Sequence, residues 1–142
     1  MPEAARTDRG WGRLLVLVYA VFAVAATGRS TVQLAQNADE APLAYALSAF
    51  AAVVYLVATW TLARPGLRAT RVAWAAVGVE LAGVLLIGTL SLWHPEVLGD
   101  DTVWSRYGAR YGYVPLVLPV AGLAWLAHTR RGLASRPGRR VD

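Results

Sequence analysis

The sequence predicts an all-α polytopic membrane protein in which four transmembrane helices pack in a bundle. The 142 residues are 56% hydrophobic and 16% charged, with a mean hydropathy of +0.42, whereas soluble domains are about 25% charged. Four apolar stretches alternate with short polar connectors. As a helix, the stretch 72–93 would reach about 33 Å, which is enough to cross a hydrocarbon core of about 30 Å.

The first transmembrane segment is expected at about 14–35, after a polar N-terminal segment at 1–13. Arg29 would then lie in the outer interface, where its long side chain can reach water. A cleavable signal peptide is the alternative, because a basic start, an apolar stretch and small residues at 23–25 fit that template. The apolar character continues to Leu34, which favours a retained helix.

Three further segments are expected at about 41–63, 72–93 and 113–128, so that residues 14–128 form the transmembrane domain. Pro115 suits the first turn of the last segment, and Pro119 is expected to kink it. The basic tail at 129–142 is predicted to be solvated and largely disordered.

The arginines predict the orientation of the segments. The N-terminus, the 64–71 connector and the C-terminal tail together hold 11 of the 14 arginines, and there is no lysine. Because cytoplasmic loops carry the excess of positive charge, both termini are expected in the cytoplasm and the protein in the plasma membrane. This reading of the arginines leaves no reason to expect nucleic acid as a partner.

The connector before the fourth segment carries aromatic residues at helical spacing. Trp104, Tyr107 and Tyr111 follow one another at i, i+3 and i+7, and Arg106 and Arg110 fall on another stripe. This pattern predicts a short amphipathic helix in the membrane interface, with the aromatic stripe facing lipid headgroups or a partner helix. These five residues form the candidate partner or interface site.

Glu80 is a carboxylate near the middle of the third segment and is therefore expected at the bilayer midplane. An intramembrane acid is a functional-site hypothesis, and small residues on its helical face should let another helix approach. Its expected hydrogen-bond partners are Ser48, Tyr55 or Tyr19, with Arg29 as a fourth candidate. Two roles remain open, namely a structural contact between helices and proton or substrate handling.

No pattern typical of a soluble enzyme occurs in the chain. The absence of cysteine excludes thiol chemistry, and there is no phosphate-binding glycine loop or nucleophile motif. His94 and His128 are expected at opposite membrane faces, so they could not ligate a haem together. Acidic residues near His94 match no metal-binding loop and are interpreted as a solvated connector. We therefore expect no catalytic residue, no cofactor and no metal site.

Two blocks of the sequence resemble a family of short uncharacterised integral membrane proteins of actinobacteria. The blocks are 79–84, VELAGV, and 102–123, which includes TVWSRYG and YGYVPLVLP. The resemblance covers most of residues 14–128 and implies a four-helix plasma-membrane protein without assigned catalytic residues. Small multidrug transporters are similar in length and helix count, but their essential Glu lies in the first helix, where this chain has none.

The function expected from these observations is that of a non-enzymatic accessory or interaction subunit of the plasma membrane. The alternative is a small proton-coupled transporter that uses Glu80. Its expected partners are the lipid bilayer and either a second membrane protein or further copies of the chain.

Overall fold

A computed structural model describes the backbone of residues 2–134 and the side chains of residues 10–129. This part of the chain is helical and contains no strand. Its elements are α1 (Pro2–Asn37), α2 (Pro42–Ala63), α3 (Leu67–Trp93), the short α4 (Pro95–Leu98), a 3₁₀ segment (Ser105–Tyr111) and α5 (Val114–Ala134). The prediction of an all-α fold is confirmed.

Three helices are long and apolar enough to cross a membrane, namely Gly10–Asn37, Pro42–Ala63 and Leu67–Trp93. A fourth span results if the 3₁₀ segment and Val114–Thr129 are counted together, although they are bent by 100°. The sequence therefore identified the three long apolar segments correctly.

Two helices extend beyond the ends expected for the membrane-spanning segments. The first helix continues past the expected end at residue 35 to Asn37, because Gly28 and Arg29 do not interrupt it. The last helix extends beyond residue 128 to Ala134. The prediction of a disordered tail falls partly on residues 135–142, which lie outside the described residues.

The breaks between helices follow from local sequence. α2 begins with Pro42, whose missing N–H is not needed in a first turn. Its end coincides with the step from Arg64 to Pro65, since a residue before proline is pushed toward the extended backbone that Arg64 adopts. α3 then begins at Leu67, so the two helices form a tight antiparallel hairpin.

The four long helices contact one another in the cyclic order α1, α2, α3, α5. One end of the fold, the hairpin end, brings together Arg13 of α1, Ala63 of α2 and Trp125 of α5. The opposite end, the loop end, carries residues 38–41 and 94–113. The small residues Ala44, Ser48 and Ala52, spaced by four, are all buried on α2. Their burial fits the helix contact that the small-residue spacing predicts.

The segment 102–113, which we call the cap, is not the amphipathic α-helix that the sequence predicts. Its helical part is 3₁₀, and Arg106, Tyr107 and Gly108 have φ values of 53°, 61° and 80°. Three successive left-handed residues turn the chain away from an α-helical path. The i, i+3, i+7 spacing therefore does not place the aromatic side chains on one stripe.

Candidate functional site

Glu80 is the central residue of α3, with 13 residues of the helix on either side. It is fully buried, and Ala73, Ala76, Val77 and Val84, which share its helical face, are buried as well. The small residues let neighbouring helices approach, as the sequence predicted. The carboxyl group therefore points into the core between the helices.

Tyr19 of α1 holds one oxygen of this carboxyl group. Its hydroxyl donates a hydrogen bond of 2.6 Å to Glu80 Oε2, and both side chains are fully buried. The contact joins α1 to α3, two helices that lie diagonally in the cyclic order. The other oxygen, Glu80 Oε1, has no hydrogen-bond partner among the described residues.

Tyr55 and Trp104 extend the core from Glu80 toward the loop end. The rings of Tyr19 and Tyr55 lie 6.3 Å apart, and Trp104 Nε1 donates a 3.0 Å hydrogen bond to the Tyr55 hydroxyl. Trp104 is 1% exposed. Its indole lies against Gly83, one turn of α3 from Glu80, where a Cβ atom would collide with the ring. Trp104 thus fills the core on the loop-end side of the Glu80 carboxyl group.

The remaining two candidate partners of Glu80 do not contact it. Ser48 is buried on α2, and its Oγ has no hydrogen-bond partner among the described residues. Arg29 lies near the loop end, where it donates to the Tyr111 hydroxyl at 2.6 Å and to the Asp101 carbonyl at 3.0 Å. Of the four candidates, the structure therefore brings only Tyr19 into hydrogen-bonding contact with Glu80.

The expected orientation of the cap aromatics is wrong. Trp104 is buried in the core, and Tyr107 packs against Gly88 and hydrogen-bonds with Thr89 at 2.9 Å. The Tyr111 ring packs on Phe22 with 6.0 Å between centroids. The three rings therefore pack against helices of the same chain, and the left-handed turn at 106–108 removes the α-helical geometry on which the expected orientation rested.

The two arginines of the cap are its exposed members. Arg110 forms an ion pair of 2.7 Å with Asp101. The Arg106 side chain is exposed, while its backbone N–H donates to Ser91 Oγ at 2.7 Å. The surface ion pair between Arg110 and Asp101 is worth about 0 to 1 kcal/mol. The exposed positive charge of the cap is therefore carried by these two arginines.

The polar residues just after α3 form a local contact. His94 Nδ1 lies 3.1 Å from Glu96 Oε1. The pKa of Glu96 lies below its ordinary value because its own backbone N–H, and then His94, hydrogen-bond the carboxylate. Among the residues whose side chains are described, no cluster of three or more acidic or His side chains could hold a metal ion. His128 packs near Trp125 at the other end of the fold.

Sequence reasoning missed two features of this region. One is the insertion of Trp104 into the core, for which Gly83 and Gly88 on α3 were the available signal, because two glycines there can admit two rings. The other is a cavity between α1, α2 and the cap, whose lining includes Arg29 and Ser48. No local pattern indicates a cavity, since it depends on side-chain volumes across three elements.

The fold and the site define an all-helical protein with three to four helices suited to crossing a membrane and one carboxyl group enclosed between them. No protein-family model matches the chain, and no curated protein or solved structure is significantly similar to it.

Proposed function

We propose that the chain is an integral plasma-membrane protein with four transmembrane helices in a bundle and both termini in the cytoplasm. α5 has 21 residues and would reach about 31 Å as a helix, so it needs no contribution from the bent 3₁₀ segment to span the bilayer. The cyclic contacts of the four long helices support the bundle. Arg13, Arg64, Arg68 and Arg71 lie toward the hairpin end, which supports that end as the cytoplasmic one.

Within this arrangement, we propose that the protein acts as a non-enzymatic accessory or interaction subunit. The observation that carries the proposal is the strained but firmly held cap. A non-glycine residue in a left-handed conformation costs on the order of 1 kcal/mol or more, and Arg106 and Tyr107 adopt it in succession. Such strain persists only where the surroundings enforce it.

Contacts from three helices enforce the conformation of the cap. Tyr55 of α2 accepts a hydrogen bond from Trp104, Ser91 of α3 accepts one from the Arg106 backbone, and Arg29 of α1 donates to the cap. A simple connector between α3 and α5 has no need of these contacts. Their result is an ordered surface at the loop end, on which the backbone of Arg106 is held and its side chain is exposed. This surface suits a membrane-protein partner that offers carboxylates.

The test is affinity purification of the full chain from its native membranes in mild detergent. A stoichiometric partner is expected, and Arg106→Ala should reduce its recovery because the exposed cation is removed. Arg68→Ala is the matched control, since Arg68 is exposed at the hairpin end and its loss should leave recovery unchanged. Equal recovery with both variants, or repeated isolation of the chain alone, would contradict the proposal.

A small proton-coupled transporter that uses Glu80 is the second candidate. The observation in its favour is a fully buried carboxyl group at the centre of α3 whose Oε1 has no hydrogen-bond partner among the described residues, because intramembrane acids commonly carry protons. Glu80→Gln keeps the size and most of the hydrogen bonding of the side chain but cannot titrate. Loss of pH-gradient-driven uptake in proteoliposomes by a Gln variant of unchanged stability would favour the transporter. Uptake that is absent from the unmodified protein would exclude it.

A further inference from the structure

A cavity of about 230 Å³ lies between α1, α2 and the cap. Its lining includes apolar side chains of all three elements together with two polar ones, as follows: Phe22, Ala26, Arg29, Ser48, Val103 and Tyr111. For comparison, a dry cavity of about 150 Å³ can hold benzene. This space therefore suits a molecule of on the order of ten non-hydrogen atoms, an aromatic ring or a short alkyl chain with a polar group.

Ser48 supplies an uncommitted hydroxyl group in the wall of this cavity. It is 3% exposed, and its Oγ has no hydrogen-bond partner among the described residues. Other helical hydroxyls donate to carbonyl oxygens three or four residues earlier, as Thr59, Thr61 and Ser91 do. Because a buried hydroxyl without a partner costs about 1–3 kcal/mol, the orientation of Ser48 points to an acceptor outside the helix.

Arg29 places a positive charge in the same wall. Its guanidinium group donates hydrogen bonds to two neutral oxygens, the Tyr111 hydroxyl and the Asp101 carbonyl. No carboxylate of the described residues lies within 4 Å of it, since the nearby Asp101 carboxylate pairs with Arg110. A guanidinium group offers five N–H donors, so further donors remain for an anionic ligand. Because Arg29 lies in a helix suited to crossing a membrane, pairing its charge with an anion lowers the free-energy cost of placing the charge there.

We propose that this cavity binds a small amphipathic monocarboxylate. The carboxylate accepts hydrogen bonds from Arg29 and from the hydroxyl of Ser48, and the apolar body packs against Phe22 and Val103. A carboxylate is favoured over a neutral polar group because hydrogen bonds between charged partners are about twice as strong. The cavity is too small to enclose both acyl chains of a phospholipid, which favours a single-chain or aromatic acid. This inference does not depend on the proposed interaction role.

The test measures binding of octanoate to the purified full chain in phosphatidylcholine nanodiscs, with octanol as the uncharged probe of equal length. Octanoate should bind saturably and at least tenfold more tightly than octanol. Ser48→Ala should weaken octanoate binding about tenfold, because a hydrogen bond to a charged group is lost. Its stability without octanoate should not fall, since the substitution removes an unpaired buried hydroxyl.

Ser30→Ala is the matched control, because Ser30 is equally buried and unpartnered on α1 and is not among the residues that line the cavity. It should leave octanoate binding unchanged. Ala26→Leu should abolish binding, because the larger side chain fills the cavity without removing the charge of Arg29. Equal binding of octanol and octanoate, or unchanged octanoate binding by Ser48→Ala and Ala26→Leu, would overturn the proposal. Loss of octanoate binding when the phosphatidylcholine of the nanodiscs is replaced by phosphatidylglycerol would also overturn it, because an anionic lipid headgroup would then be the ligand.

Discussion

The hydroxyl group of Tyr19 lies 2.6 Å from Oε2 of Glu80, with both side chains fully buried between the helices. This contact crosses the diagonal of the helix packing and ties α1 to α3. A polar contact between membrane helices is worth on the order of 0.6 to 2 kcal/mol. If the role of Glu80 is structural, the contact contributes to the free energy of unfolding, and the effect of substituting one of the two residues depends on whether the other is present.

We therefore predict that Tyr19→Phe lowers the free energy of unfolding by about 1–2 kcal/mol, because it removes the donor and keeps the ring. Glu80→Leu should cost more than Glu80→Gln, whose amide oxygen can still accept from Tyr19. The measurement is an unfolding titration in mixed micelles. Tyr113→Phe, at a residue that is 52% exposed, is the control and should have no effect. If Tyr19→Phe and Glu80→Leu add fully in the double variant, the two residues are not coupled.

Gly83 provides a second prediction. A Cβ atom at this position would collide with the Trp104 ring, so Gly83→Ala should destabilise the protein by about 1–3 kcal/mol and displace the cap. Gly78→Ala in the same helix is the control. Nothing lies within 4 Å of a Cβ atom there, and the change should be neutral or stabilise by up to about 1 kcal/mol.

Trypsin reports the position of the cap directly, because it cleaves after Arg106 and Arg110. A docked cap should resist cleavage, and Gly83→Ala should accelerate it while Gly78→Ala does not. Equal cleavage rates in the two variants would show that Trp104 does not need the space above Gly83.

The outcome at Glu80 shows what helical spacing can predict. Its periodicity correctly identified the buried face, which includes Ala76 and Val84, because neighbours at three and four residues are fixed by helix geometry. It could not choose among Tyr19, Tyr55 and Ser48, since that choice depends on the axial register between separate helices. Register is set by packing over the whole length and leaves no local signal.

The cap shows the opposite case. The spacing of Trp104, Tyr107 and Tyr111 predicted a stripe only on the assumption of an α-helix. Left-handed conformations are uncommon for residues such as Arg106, so no local pattern predicts them here. Gly108 is unfavourable in a helix, and Gly83 and Gly88 of α3 leave the space that the rings of Trp104 and Tyr107 occupy. Both signals are weak until the cap and α3 are known to be in contact.

The acidic side of the loop end yields a prediction about pH. The pKa of Glu96 is below its ordinary value of 4.5, because its backbone N–H and His94 favour the charged form. A lowered pKa in the folded state means that the contribution to stability is present above 4.5 and is lost as the pH falls through the folded value. Since both side chains are exposed, the effect on stability should be small.

Carboxyl NMR is the suitable measurement for Glu96. His94→Ala should raise the pKa of Glu96 toward 4.5 without reaching it, because the backbone hydrogen bond remains. The melting temperature at pH 7 should not change. An unaltered pKa in this variant would mean that the backbone alone sets the value.

The proposed orientation predicts the outcome of reporter fusions. Reporters inserted at Gly66 or placed after residue 142 should be active in the cytoplasm, because these sites lie with most of the arginines. Reporters inserted near Asp39 or near Asp100 should be active outside. If the insertions at Asp39 and Gly66 reported the same side, α2 would not span the membrane.

Trp104 also constrains the order in which the protein can assemble. α1, α2 and α3 all precede it in the chain, so they are synthesised before the indole that closes the core above Glu80 is available. Helices in a bilayer usually associate by lateral movement. Here the core also needs the cap to fold back onto the helices and seat its ring against Gly83. Until that step is complete, the hydroxyl group of Tyr55 lacks the hydrogen-bond donor that Trp104 supplies in the folded protein.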